Sequence, residues 1–203
     1  MKIAVIGASG RAGSRIIDEA LKRGHTATGI ARNPEKIERR AGVVANKGDT
    51  SDPAGLAALL KGHDAVVGAT RFVNTKAAHV IAAVKQAGVK RLLVVGGAGS
   101  LEVAPGVMLL TTPQFPEVAK PEATAGLEFL NALRGEKDLD WVFISPGALL
   151  SPGERTGKYR VGRDQLLKDA SDKSSISMED FAIAMVDELE KPKHHRQRFH
   201  VAY

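Results

Sequence analysis

Three glycines, Gly7, Gly10 and Gly13, recur every third position near the start of the chain. Before them runs an apolar stretch, Ile3-Ala4-Val5-Ile6. After them Ile16, Ile17, Ala20 and Leu21 fall on one face at helical spacing. Glycines between a buried strand and an amphipathic helix suit the binding of a diphosphate. Gly7 permits a tight turn off the strand, Gly10 has no Cβ to block the approach of phosphate, and Gly13 lets the helix pack close to the sheet. The unbonded amides of the first helical turn, around Arg11 and Ala12, point outward with the helix dipole behind them. A dinucleotide is the ligand class this arrangement suggests. The spacing differs from the commoner G-x-G-x-x-G, and glycines alone fit any strand–turn–helix. The strand-like run that follows, His25 to Ala31, adds the context a dinucleotide site needs.

The end of that second strand is Arg32-Asn33-Pro34-Glu35-Lys36. A site for NADH places a carboxylate here to accept from the ribose 2′-hydroxyl. An arginine instead suits a 2′-phosphate, which a guanidinium binds with paired charge-assisted bonds. Arg32 therefore favours NADPH over NADH. After the third strand, Asp49 and Thr50 are placed to meet the adenine, with Asp49 accepting from its amino group. Asp49 or Asp52 can equally start the next helix, since Asp52-Pro53 makes a cap followed by a first-turn proline. Ala69, Thr70 and Arg71, at the end of the fourth strand, should line the same crevice beside the nicotinamide ribose.

Strand and helix patterns alternate along the whole chain, with few hairpin signals. This predicts an α/β fold with a doubly wound, mostly parallel sheet in a three-layer α/β/α sandwich. Strands are expected at Ile3–Ile6, Thr26–Ala31, Val43–Asn46, Ala65–Ala69, Arg91–Val95 and Leu139–Ile144, with a short last one within Arg198–Tyr203. Helices are expected up to Arg23, after Pro53, over Thr75–Ala87, from Pro121 to Gly135, and after the cap box Ser177-Met178-Glu179-Asp180. Gly96 to Ser100 follow the fifth strand without the Gly-Lys-Ser/Thr ending of a P-loop, so they are expected to leave room for a flat ring. Residues 97–120 carry three prolines and little periodicity, and are expected to wall the substrate side. Residues 147–175 are expected to cover the pocket. One domain is expected over residues 1–203.

The composition excludes several alternatives. At 43% hydrophobic and 26% charged, the 203 residues are ordinary for a globular domain. There is no cysteine, hence no disulfide, thiolate metal site or cysteine nucleophile, and a reducing cytoplasm is the expected setting. No apolar run approaches the ~20 residues of a membrane span. The net charge of +6 favours anionic partners, and dinucleotide phosphates satisfy it. The basic run Lys191 to Arg198 lacks aromatic interleaving, so no nucleic-acid partner is expected. His194-His195 within it has no third ligand at a telling spacing, so no metal is expected. The partner expected is a small flat acceptor, and the protein itself a monomer or homodimer.

The blocks MKIAVIGASGRAG, ARNPEK, VVGGAGSLEVAPG, FPEVAK, SPGERTGKYR and ISMEDFAIAMVDELEKP, in this order, resemble the atypical short-chain dehydrogenases, a family of small bacterial NAD(P)-binding proteins often described as NAD(P)H-flavin reductases. Biliverdin reductase B is a more distant likeness. The resemblance covers nearly the whole chain. It implies a Rossmann domain, a nicotinamide cofactor on the glycine turn and a flat acceptor, such as a flavin, over the nicotinamide. It implies Gly7, Ser9, Gly10, Arg11 and Ala12 at the pyrophosphate and Arg32 at the adenosine ribose. It also implies that Gly97 to Ser100 and Pro146 flank the nicotinamide. Where relatives often carry tyrosine in the FPEVAK block, this chain has Ala119.

Carbonyl reduction in typical short-chain dehydrogenases uses Tyr-x-x-x-Lys as the acid. Of the two tyrosines here, Tyr159 is followed four residues on by Arg163 and Tyr203 ends the chain, so that pair is missing. Flavin reduction asks less: two rings held stacked, with water able to supply the proton. Ser100 is the candidate catalytic residue, able to orient or hydrogen-bond the acceptor, and Tyr159 and Arg155 are candidates to fold in from the later loop. The competing expectation is a redox sensor that binds NADP and a protein partner without turnover.

Overall fold

The computed structural model describes residues 1–203. Its centre is an eight-stranded sheet. Its first five strands in the chain are β1 (Lys2–Ile6), β2 (Thr26–Ala31), β3 (Val43–Lys47), β4 (Ala65–Gly68) and β5 (Arg91–Val95), of which β3 forms one edge. Beyond them come a small hairpin, β6 (Glu102–Ala104) and β7 (Val107–Met108), then β8 (Asp140–Pro146), β9 (Leu149–Ser151), β10 (Arg160–Gly162), β11 (Ser175–Ser177) and β12 (Gln197–Ala202). The sheet order is β3-β2-β1-β4-β5-β8-β12-β10, parallel throughout except for the edge pair β10–β12. Direction reverses about β1, so the crevice at the carboxyl ends of β1 and β4 is the topological switch point where such sheets take ligands.

Five helices cover the two faces: α1 (Arg11–Lys22), α2 (Pro53–Leu60), α3 (Ala77–Gln86), α4 (Lys120–Gly135) and α5 (Met178–Glu190). Ile16, Ile17 and Ala20 of α1 pack with Phe181, Met185 and Leu189 of α5 over Ile3, Val5, Val142 and Ile144. On the other face Leu56, Val80, Val84, Leu130 and Leu133 pack over Ala4, Val66, Leu92 and Phe143. Strands sandwiched in this way are apolar on both sides, which is why β1, β5 and β8 read as continuous hydrophobic runs. Local signals set the helix ends. Gly24 adopts φ +77° just past α1, Asp52 caps α2 by accepting from the Gly55 amide at 3.0 Å, and Ser177 Oγ accepts from the Asp180 amide at 2.9 Å to start α5.

Three segments depart from the pattern read in the sequence. The helix expected over Thr75–Ala87 is Ala77–Gln86, preceded by a 3-10 turn at Phe72–Asn74. Residues 97–120 are not plain loop: they hold the β6–β7 hairpin, turned by Gly106 at φ +73°, and two 3-10 turns. The stretch 147–175, expected to cover the pocket, does so only at its ends. Its middle lies against α1 and α5. Arg155 pairs with Glu19 at 2.9 Å, Thr156 and the Gly157 amide donate to Asp180, and Tyr159 donates to Asp187. Glu19 and Asp180 are buried carboxylates, and such groups are costly without partners. Burial pushes the pKa of Asp180 up, but the bonds from Thr156, Gly157 and Tyr203 outweigh it and hold the group below its usual range.

The basic run near the end is likewise pinned. His194 bonds Glu188 at 2.8 Å and stacks on Phe199, and Arg91 joins Glu188 at 2.7 Å. No helix is long and apolar enough to cross a membrane.

Candidate active site

Two adjoining cavities open at the carboxyl ends of the strands. The first is a cleft of about 220 Å³ that includes Gly7, Ser9, Gly10, Arg32, Asp49, Thr50, Ala69, Thr70 and Arg71 in its lining. Nine of the residues singled out in the sequence thus meet around one space, although they come from four different strand ends. Arg11, Ala12 and Gly13 stand behind it, in the first turn of α1. No side chain caps that helix and its first turn holds no acidic residue, so the amides there remain available to an anion.

The three glycines have different reasons to be glycine. Gly7 has φ +84°, and a Cβ there would collide with the Ala69 carbonyl. A Cβ on Gly13 would collide with the Gly7 carbonyl, so Gly13 lets α1 start directly against the turn. Gly10 has an ordinary extended conformation, and its Cβ would sit 3.1 Å from the Gly7 oxygen, tight but tolerable. The first two shape the turn; the third keeps its surface bare.

Arg32 is exposed and holds no ion pair or hydrogen bond within the chain. Asp49 faces it. Its Oδ1 accepts from the amide and hydroxyl of Ser51, at 2.8 and 2.9 Å, and these bonds, with the charge of Arg32, keep the carboxyl below its usual range. Asp52, not Asp49, caps α2, so the second oxygen of Asp49 is left for another donor.

The second cavity is larger, about 610 Å³, within the range usual for small-molecule pockets. Phe72, Leu109, Phe115, Leu127, Phe143 and Leu149 give it apolar walls. Gly97 lies on its border, and a Cβ there would meet nothing within 4 Å, so the strand end faces open space. The two cavities abut at Arg71, which lines the cleft and pairs at 3.4 Å with Glu122 of the larger cavity. Glu122 also accepts from the amides of Phe72 and Val73, at 2.7 and 3.3 Å. Its oxygens are thus engaged, and Lys173 is the other charged residue of the lining.

Ser100 lines the larger cavity and is 7% exposed. Pro146 is buried at the end of β8 and lines neither space; Ala148 and Leu149, just beyond, form that wall instead. Pro146 pairs with Val201 in the sheet, and only after β8 ends can the chain turn toward the cavity. Arg155 and Tyr159 do not fold in, held as they are by Glu19 and Asp187. Burial, then the bond to Asp187, pushes the Tyr159 hydroxyl well above its usual pKa, the opposite of what an acid would need. Tyr159→Phe is expected to lower unfolding stability by about 1.5–3 kcal/mol, the loss of a hydrogen bond to a charged group, without changing turnover. Thermal unfolding and steady-state rates measure the two, and a collapse of turnover at unchanged stability would return Tyr159 to the site.

A sequence model described as NAD(P)H-binding matches residues 7–192. The uncharacterised Bacillus subtilis protein YwnB is 42% identical over 212 residues, spanning 99% of this chain and 98% of that protein. Among the crystal structures that align over 100% of this chain are two of high identity. One, from Bacteroides thetaiotaomicron and provisionally described as an epimerase, is 46% identical with TM-score 0.95 and 96% of its own chain covered. The other, from Streptococcus pneumoniae and provisionally described as an NADH-flavin reductase, is 37% identical with TM-score 0.85 and 99% covered.

Proposed function

The chain belongs to the NAD(P)H-binding family, and on that premise we propose that it is an oxidoreductase passing hydride from NADPH to a flavin or similar flat acceptor. The observation that carries this reading is the abutment of the two spaces. A narrow polar cleft at a bare glycine turn opens beside a wide cavity with aromatic walls, the pairing needed to bring a nicotinamide against a second ring. The flavin-reductase description belongs to the pneumococcal protein, and it supports the acceptor class here without deciding it.

A bound nicotinamide supplies the hydride, and the residues of the chain do the rest. Amides of Arg11 and Ala12, approached over the bare surface of Gly10, hold the diphosphate beside Ser9, backed by the dipole of α1. Arg32 takes the 2′-phosphate, and Asp49, with Thr50 next to it, meets the adenine. Ala69, Thr70 and Arg71 flank the nicotinamide ribose. Gly97 leaves the ring its space. Phe72, Phe115, Leu127 and Phe143 hold a flat apolar acceptor and exclude water, so that orientation supplies most of the acceleration. With Tyr159 bonded to Asp187, carbonyl reduction by a tyrosine acid has no acid in place. The cytoplasm, with its reduced pool of NADPH, is the compartment this reading calls for.

The test is NADPH oxidation followed by absorbance, with riboflavin, FMN or a quinone as acceptor. Turnover with at least one of them, at rates well above the uncatalysed background, is the expected result. Tight NADPH binding with no turnover on any acceptor would overturn it and favour a redox sensor acting through a protein partner.

A further inference from the structure

Ser100 Oγ accepts a hydrogen bond at 3.1 Å from Nη1 of Arg198, a residue 98 positions further along the chain. The same nitrogen donates to the Ser100 carbonyl at 3.2 Å. The Arg198 side chain is 4% exposed, and its remaining fork is turned away toward Asp164, with Nε donating to Oδ1 at 2.8 Å. A hydroxyl has one proton to give and two lone pairs. With a guanidinium on a lone pair, the Ser100 proton has no acceptor within the protein, and the residue borders the large cavity. Ser174, another buried hydroxyl of that lining, accepts only from the Ala148 amide, a neutral donor, at 3.1 Å. A hydroxyl bonded by a cation is the stronger donor of the two.

From this geometry we propose that Arg198, fixed by Asp164, is a positioning residue that turns the Ser100 hydroxyl into an oriented, polarised hydrogen-bond donor for the acceptor. The proposal rests on the hydride-transfer reading above and deepens it. It also narrows the acceptor to a conjugated ring carrying an oxygen or nitrogen on which negative charge collects. Hydride arrival brings that ring one hydrogen and an electron pair, the nicotinamide being oxidised in the same step. The negative charge left on the acceptor is what Ser100 meets, and a proton from water then completes the reduction. Preorganised donors aimed at developing charge act this way in water-excluded sites. β12 brings Arg198 to this place: Arg198 pairs with Phe143 in the sheet register, and Phe143 itself lines the cavity.

The experiment is a double-mutant cycle on the full chain, with Ser100→Ala, Arg198→Met and the two combined. The readouts are riboflavin-dependent kcat with NADPH, riboflavin affinity by fluorescence quenching without any nicotinamide, and the melting temperature. Each single variant is expected to lower kcat by about tenfold, the size expected for one hydrogen bond to a charged group. The affinity for oxidised riboflavin should weaken less, by about threefold. The combined variant should resemble Ser100→Ala alone, because Arg198 acts through Ser100. Asp164 is half-exposed, so Asp164→Asn is a milder way to loosen Arg198; it should give a smaller loss of kcat that also vanishes in the Ser100→Ala background. It carries the cycle where Arg198→Met fails to fold. Arg198 losing as much in the Ser100→Ala background as in the wild type would make it a merely structural residue and overturn the proposal. So would an unchanged kcat in Ser100→Ala while the wild type turns over. A wild type that reduces no acceptor at all is a different failure, that of the hydride-transfer reading itself.

Discussion

Gly10→Val is expected to abolish binding of NADPH and NADH alike, by about a thousandfold or more, in a protein that still folds. The loss follows from position. The valine side chain would stand on the bare surface of the turn, where the diphosphate must come within hydrogen-bond reach of the helix amides. Two or three charge-assisted bonds disappear together, each worth about 1.5–3 kcal/mol, and every 1.4 kcal/mol is about tenfold in affinity. The fold survives because Gly10 has φ −79° and ψ 163°, which any residue adopts, and its Cβ needs only a small shift of the Gly7 oxygen 3.1 Å away. Gly13→Ala is the contrasting control: its Cβ would strike the Gly7 carbonyl, so its cost should appear in the melting temperature. Calorimetric titration with each cofactor, beside thermal unfolding, reads both. Unchanged affinity in a folded Gly10→Val protein would remove the turn from the site.

Arg32→Glu should separate the two cofactors. Arg32 is exposed and unpaired, so replacing it disturbs no structure. It removes the guanidinium fork offered to the 2′-phosphate and sets a carboxylate beside Asp49 and that phosphate. Loss of a paired charge-assisted contact together with like-charge repulsion is expected to weaken NADPH by about a hundredfold or more. NADH, which has only a 2′-hydroxyl, should change by less than about threefold, since a carboxylate can accept from that hydroxyl. The pneumococcal relative is described with NADH, which gives the comparison its point. Equal losses for both cofactors would sink the assignment of Arg32 to the phosphate.

That Gly10 and Arg32 line one cleft was legible in the chain because their surroundings are local. Gly7, Gly10 and Gly13 lie within one strand–turn–helix, and Arg32 follows directly on β2. Gly24, Asp52 and Ser177 likewise declared helix ends, since a cap bonds to an amide only two or three positions away. Asp49 was ambiguous for the same reason: two carboxylates three residues apart competed for one cap, and only the geometry gave it to Asp52. The later segment misled. Gly-rich and charged residues after Ser151 looked like a cover for the pocket. Nothing nearby in the chain told that Glu19 and Asp180, buried on α1 and α5, would claim Arg155, Thr156 and Gly157.

The order of strand and helix, the parallel α/β sheet and the glycine turn before α1 were therefore matters the sequence alone determined, because hydrophobic period, glycine and caps act over a few residues. The tertiary structure decided what surrounds the larger cavity: the walls of Phe72, Phe115, Leu127 and Phe143, the exclusion of Tyr159, and the guanidinium of Arg198 behind Ser100. Those contacts join residues far apart in the chain, and sheet order, rather than any local preference, chooses which distant strands become neighbours.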